Sequence, residues 1–192
     1  MKVCVFMYGL VNRAIREMVV EAHGDEAWKQ VAKSAGIDAA GFVDMTSYDD
    51  EITFKLVVSA SDLLNVPAEE ILHEFGKHWV LYTGSDKWGY LFEIAGTDFL
   101  SFLHGLDNLH ARVEAQMPDS HMPQFTVIEH PDHVELQYRS EREGLAPMVV
   151  GILEGLMDRF DECWHVQQTL KQSDNGYDAF VLCVTADKSN AA

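Results

Sequence analysis

The sequence predicts an α+β protein, with an N-terminal helical subdomain followed by a C-terminal four-stranded antiparallel sheet with helices. Three observations predict it. Apolar residues recur at three- and four-residue steps as far as about Gln116. After Pro123 the pattern changes to alternation, in two hairpin-like pairs of runs. Between those pairs lies one more amphipathic helix, and helices followed by hairpins indicate α+β. A chain of 192 residues suffices for a substantial core, in one domain or two tightly joined subdomains.

The first helix carries Leu10, Val11, Ala14, Ile15, Met18, Val19 and Ala22 on one stripe, and Gly24 is its expected stop. Asp25 is placed to cap a second helix through Trp28, Val31, Ala32 and Ala35, which Gly36 ends. Residues 37–53 are mixed, with a turn-like Tyr48-Asp49-Asp50-Glu51. A helix follows from about Phe54 to Leu64. Pro67 suits the first position of the next helix, where its missing N–H costs nothing. That helix presents Ile71, Leu72, Phe75, Trp79 and Tyr82 before Gly84. Residues 89–95 are apolar and fit either a strand or a helix, with helix the preferred reading. Asp98 caps a segment through Phe99, Leu100 and Leu103 to about Gln116, ended by Pro118. Residues 125–129 and 133–142 form a hairpin around Pro131-Asp132. Residues 145–160 make the amphipathic helix, with Met148, Val149, Ile152, Leu156 and Phe160 inward. Residues 164–171 and 177–185 form the second hairpin, joined by Ser173-Asp174-Asn175-Gly176.

Composition excludes some function classes. Asp and Glu number 31 against 14 Lys and Arg, for a formal charge of −17. Nucleic acid and anionic membranes need a basic surface, so neither is an expected partner. No apolar run approaches the roughly 20 residues of a membrane span. Residues 1–6 are too short for a signal peptide. Cys4, Cys163 and Cys183 are few and odd in number, unlike a disulfide framework, and a reducing cytoplasm is the expected compartment.

Two features carry chemistry. With the strand running to residue 142 and closed by Glu143-Gly144, Tyr138, Ser140 and Arg142 project from one face. A phenol, a hydroxyl and a guanidinium fork in a row suit an anion with more than one carboxylate, or form a solvated sheet face. Among nine histidines, His110 stands apart. Its helical neighbours Leu103, Leu106 and Val113 place the imidazole on an apolar stripe, as a hydrogen-bonded core residue or as a ligand. His104 and His78 are weaker candidates on mixed faces. Together, an apolar-face imidazole and a Tyr/Ser/Arg row are what a protein needs to ligate a haem iron and bind two propionates. Cys163, His165 and Cys183 could approach one another across the last hairpin, with zinc a conceivable occupant.

Tyr138-x-Ser140-x-Arg142 resembles the Y-x-S-x-R signature of the haem–nitric oxide/oxygen binding (H-NOX) family, which includes the haem domain of the soluble guanylate cyclase β subunit. The resemblance runs from Met7-Tyr8-Gly9-Leu10-Val11-Asn12 through Phe75-Gly76-Lys77 and Asn108-Leu109-His110 to Ser140-Glu141-Arg142-Glu143-Gly144-Leu145, nearly the whole chain in order. It implies a single haem-binding domain over residues 7–185. Residues 7–66 would form the helical part and 67–185 the haem-ligating helices and sheet, with the haem held between them. Residues 1–6 would then be an extension and 186–192 a tail. It implies haem b, with His110 the iron ligand, Tyr138, Ser140 and Arg142 on the propionates, and Pro123 pressing on the porphyrin. Val11, Ile15, Trp79 and Met148 would line the distal side.

Oxygen-holding members of the family look to carry tyrosine at the position of Met148, and methionine donates no hydrogen bond. The expectation is a sensor that binds NO and CO and excludes O₂. It would not be an enzyme, and would signal in trans to a histidine kinase or cyclic-dinucleotide enzyme. The alternatives are an oxygen-binding haem protein, in which the Trp79 indole N–H supplies the missing donor, and a haem-free interaction module of the same fold.

Overall fold

The computed structural model describes residues 6–83 and 89–184. The chain opens with β1 (Phe6–Tyr8), then α1 (Gly9–Ala35), β2 (Ser47–Asp49) and α2 (Asp50–Leu64). β1 and β2 pair antiparallel, with Phe6 opposite Asp49 and Tyr8 opposite Ser47. The span of α1 is interrupted at Gly24, whose φ of 82° and ψ of 168° leave the helical region. Only glycine adopts that conformation without strain, so two helical segments meet at a kink there, at the expected stop. Gly36 ends α1 in the left-handed region. α2 begins four residues before the expected Phe54, because the Asp49 carboxylate accepts from Glu51 N at 2.9 Å and caps the helix there.

α3 (Ala68–Thr83) starts one residue after Pro67, whose carbonyl accepts the first helical bonds from Glu70 and Ile71. α4 (Gly89–Ala95) is helical as expected. α5 (Phe99–Gln116) opens with a reciprocal box: Asp98 Oδ1 accepts from Ser101 N at 2.9 Å, and Asp98 N donates to Ser101 Oγ at 3.1 Å. A 3₁₀ turn (Pro118–Ser120) leads to β3 (Gln124–Glu129) and β4 (Val134–Arg139). Then come α6 (Ala146–Phe160), β5 (Trp164–Leu170), a single helical turn α7 (Gln172–Asn175) and β6 (Asp178–Val184). The sheet is antiparallel throughout, in the order β3-β4-β6-β5.

One expectation about β4 is corrected. The strand ends at Arg139, so Ser140 and Arg142 do not continue the alternation from Tyr138. They lie in the bend that leads to α6. Gly84, Cys4, Thr185, the tail 186–192 and the extension other than Phe6 fall outside the described residues.

Among the described residues two large apolar cores result, beside a small cluster of Tyr8, Leu10 and Met117. One joins α1, α2 and the start of α3 around Trp28, Leu56, Ile71 and Phe75. The other joins the sheet to α4, α5 and α6 around Phe99, Leu103, Leu136, Leu153 and Phe180, and takes in Val80 from the far end of α3. α3 therefore spans both. It lies unusually close to α6: a Cβ at Gly76 would strike the Met148 carbonyl, and one at Gly151 the His73 carbonyl. No helix among the described residues is long and apolar enough to cross a membrane.

Candidate functional site

Between the two cores lies a mainly apolar cavity, with about 270 Å³ open to the centre of a water molecule. Val11, Ile15, Trp79, His110, Pro123, Tyr138, Ser140, Arg142 and Met148 all line it. α1, α3 and α6 supply the first apolar walls, and α5 brings His110 in from another side.

His110 Nδ1 sits 3.2 Å from the Pro123 carbonyl oxygen. A carbonyl only accepts, so Nδ1 carries the hydrogen and Nε2 keeps its lone pair. Burial pushes the His110 pKa below its ordinary value, opposed by the Pro123 carbonyl and by the Asp107 and Glu114 carboxylates. The Phe125 ring stands 5.5 Å from the imidazole and 5.4 Å from Tyr138. Asp107 Oδ1 accepts from Phe125 N at 2.9 Å, which fixes β3 to α5 beside the histidine. The result is a neutral imidazole, held at one nitrogen and basic at the other, the arrangement of a metal-ligating histidine.

The polar end is built from β4 and the following bend. Tyr138 is 3% exposed, and burial raises its pKa, against the Ser140 hydrogen bond and the Arg142 charge. It stays a neutral phenol. Ser140 Oγ accepts from Arg142 N at 3.1 Å. The Arg142 guanidinium donates from Nε to Asp50 Oδ2 at 2.8 Å and from Nη1 to His121 O at 3.1 Å. Its Nη2 donates to Phe6 O at 2.8 Å and Ser120 O at 3.1 Å. Four of its five N–H groups are thus satisfied by protein, leaving one on Nη1.

Asp50 was not among the expected site residues. Its Oδ1 is buried with no hydrogen-bond partner among the described residues, as is Ser120 Oγ, and both residues line the cavity. Sequence carried only the turn-like acidic pair 49–50 as a signal. These donors and walls fit a flat apolar group with a nitrogen-seeking metal and a polar edge, and haem is such a group.

The other candidates lie apart from the cavity lining. His104 is exposed and pairs with Glu129 at 3.0 Å. His78 pairs with Glu21 at 3.7 Å. His165 and Cys183 are cross-strand partners and Cys163 is exposed. No group of three or more His, Cys, Asp or Glu among the described residues is arranged to hold a metal ion, so the conceived zinc trio is not assembled.

Fold and cavity together define an α+β domain with a mainly apolar cavity lined by a histidine. Residues 8–168 match the Haem-NO-binding family, and the chain belongs to that family of haem-binding gas sensors, also called H-NOX. It is similar to two soluble guanylate cyclases of Caenorhabditis elegans. It is 25% identical to gcy-35 over 179 residues and 28% identical to gcy-33 over 177 residues. These matches cover 91% and 92% of this chain but only 26% and 19% of the relatives' lengths. Its fold is that of solved H-NOX proteins. One is a triple-substitution variant from S. oneidensis in the Fe(II) ligation state, with TM-score 0.83, 19% identity, and 97% of this chain and 100% of that one covered. Another is the Fe(II) unliganded protein from K. algicida, with TM-score 0.81, 16% identity, and coverage of 96% and 100%.

Proposed function

We propose that the protein is a ferrous haem b sensor that binds NO and CO, excludes O₂, and passes the signal to a partner domain or protein. The observation that carries this reading is the His110–Pro123 hydrogen bond, which fixes Nε2 as the free nitrogen inside an apolar cavity. Haem, when bound, would supply a ferrous iron able to bind a diatomic gas, and His110 would hold that iron.

Everything else falls to the chain. His110 would ligate the iron through Nε2, and its Nδ1 bond to Pro123 O and its place on α5 would connect that ligand to both. Tyr138, Ser140 and the remaining Arg142 N–H are the donors for the propionates. Val11, Ile15 and Met148 exclude water. Met148 offers no hydrogen to a polarised ligand. Losing one hydrogen bond to a charged group costs about 1.5–3 kcal/mol, roughly ten- to a hundredfold in affinity. That penalty falls on O₂ more than on NO or CO. No group in the predicted distal lining serves as a general acid or base, so the role proposed is sensing, not catalysis.

The test is an absorption spectrum of the reduced protein taken anaerobically, then in air, then with NO. The expected result is a five-coordinate ferrous spectrum, unchanged on brief air exposure and converted by NO. A stable oxygen complex in air would overturn the selectivity. It would turn attention to Trp79, which lines the same cavity. Absence of any haem spectrum after supplementation would leave the haem-free module.

A further inference from the structure

Residues 120–123 supply backbone carbonyls to both ends of the cavity. Pro123 O accepts from His110 Nδ1 at 3.2 Å. Two and three residues earlier, His121 O and Ser120 O accept from Arg142 Nη1 and Nη2, each at 3.1 Å. The segment has little freedom to absorb a displacement. Ser120 N is bonded to Met117 O at 3.0 Å, His121 holds a left-handed φ of 47°, and proline fixes φ at 123. Three residues reach about 10 Å at most even when extended.

The remaining Arg142 bonds lead elsewhere. Nη2 also donates to Phe6 O in β1, and Nε to Asp50 at the start of α2, both at 2.8 Å. Phe6 is itself paired with Asp49 across β1 and β2. A continuous chain of bonds therefore links His110, the segment 120–123, Arg142, and the β1–β2–α2 corner of the other lobe. The charged links are the stronger ones. Hydrogen bonds to charged groups are stronger than those between neutral pairs. The Arg142 and Asp50 side chains are 7% and 11% exposed, so solvent screens them little.

We infer that residues 120–123 are a strap that positions His110 and Arg142 together, and that Arg142 relays movement at His110 to β1 and α2. This rests on the reading that His110 ligates the iron, because the pull on the imidazole is what the strap transmits. A displacement of Pro123 meets a short, constrained segment whose far end is gripped by a guanidinium. The guanidinium moves with it, and the carbonyl of Phe6 and the carboxylate of Asp50 follow. Arg142 thereby acts on the lobe that carries Val11 and Ile15 as well as at the cavity's polar end.

The experiment uses the haem-loaded full chain, reduced, with and without NO. Absorption reports ligand binding, and amide hydrogen exchange at Phe6–Tyr8 and Ser47–Asp49 reports the relay. NO is expected to change exchange at these amides by about threefold or more. Insertion of one glycine between His121 and Met122 lengthens the strap and is expected to abolish that change. Asp50→Asn, which weakens the grip on Arg142 without altering chain length, is expected to reduce it and serves if the insertion does not fold. Wild-type protein whose spectrum converts with unaltered exchange would overturn the strap and leave the sensor reading standing. So would an insertion or Asp50→Asn variant that keeps the full exchange change. A spectrum that NO does not convert would overturn both.

Discussion

Arg142 and Asp50 lie 92 residues apart in sequence, yet Nε and Oδ2 meet at 2.8 Å inside the protein. Removing one partner of a buried pair leaves the other charge uncompensated, which costs about 3–5 kcal/mol. Three backbone carbonyls also accept from Arg142, so the loss for Asp50→Ala should sit near 3 kcal/mol. Asp50→Asn keeps an acceptor oxygen and should lose less. Urea unfolding at neutral pH measures both. Equal losses would mean that shape, not the acceptor, is what position 50 contributes.

The proposed iron ligand makes its own prediction. His110→Gly should lose the native five-coordinate ferrous spectrum, and added imidazole should restore it by occupying the space beside the Pro123 carbonyl. An unaltered spectrum without imidazole would transfer the role to another histidine.

How much of this was legible in the sequence varies with distance along the chain. The Gly24 kink and the Asp98 cap were visible because each is decided by residues within one turn. His110 was visible because its neighbours three, four and seven residues away define a stripe. The end of β4 was not. Alternation through Ser140 and Arg142 suggested a longer strand, but Gln172 Nε2 takes the Ser140 carbonyl at 2.5 Å and Arg142 turns toward partners in distant segments. The Asp50 contact and the Phe6 contact, 136 residues from Arg142, are set by how two lobes dock. No local pattern announces them. β1 and β2, three residues each, are too short for alternation to show.

The crossing of α3 and α6 predicts contrasting glycine substitutions. At Gly151 a methyl group would collide with the His73 carbonyl, and at Gly76 with the Met148 carbonyl. Backbone cannot rotate away, so each alanine variant should lose about 1–3 kcal/mol or more. At Gly155 the nearest atoms are Val80 Cβ and Cγ2 at 3.2 Å, and alanine recovers up to about 1 kcal/mol of helix propensity. Gly155→Ala should therefore stay within about 1 kcal/mol of wild type. Thermal or urea melts would rank the three. A Gly151→Ala protein as stable as wild type would contradict the packing.

His78 gives a pH dependence. Burial lowers its pKa, with the Glu21 and Glu17 carboxylates opposing. Between that lowered value and the ordinary 6.5, the unfolded chain binds more protons than the folded one. Stability contributed by His78 is thus present above 6.5 and lost as pH falls. His78→Gln removes this dependence. The stability difference, wild type minus variant, should shrink from about pH 7.5 to about pH 5.5. A constant difference would show that the imidazole titrates alike in both states.

In the proposed sensor, ligand selectivity rests on Met148, a thioether on the cavity wall where a donor would favour oxygen. Met148→Tyr places a phenol there, and one hydrogen bond to a polarised ligand is worth about 1.5–3 kcal/mol. Oxygen should then bind about ten- to a hundredfold more tightly, enough to form a complex whose release can be followed. Crowding opposes the gain, because the Met148 carbonyl is lodged against Gly76 and α6 cannot back away. Any relief must come from the phenol rotamer. Stopped-flow oxygen release from the reduced variant, compared with release of CO, separates the two effects. A hydrogen bond slows oxygen alone, whereas crowding speeds the loss of both. If the variant, like wild type, forms no oxygen complex in air while CO release is unaffected, the hydroxyl does not reach the ligand, and selectivity must be sought at Trp79 instead.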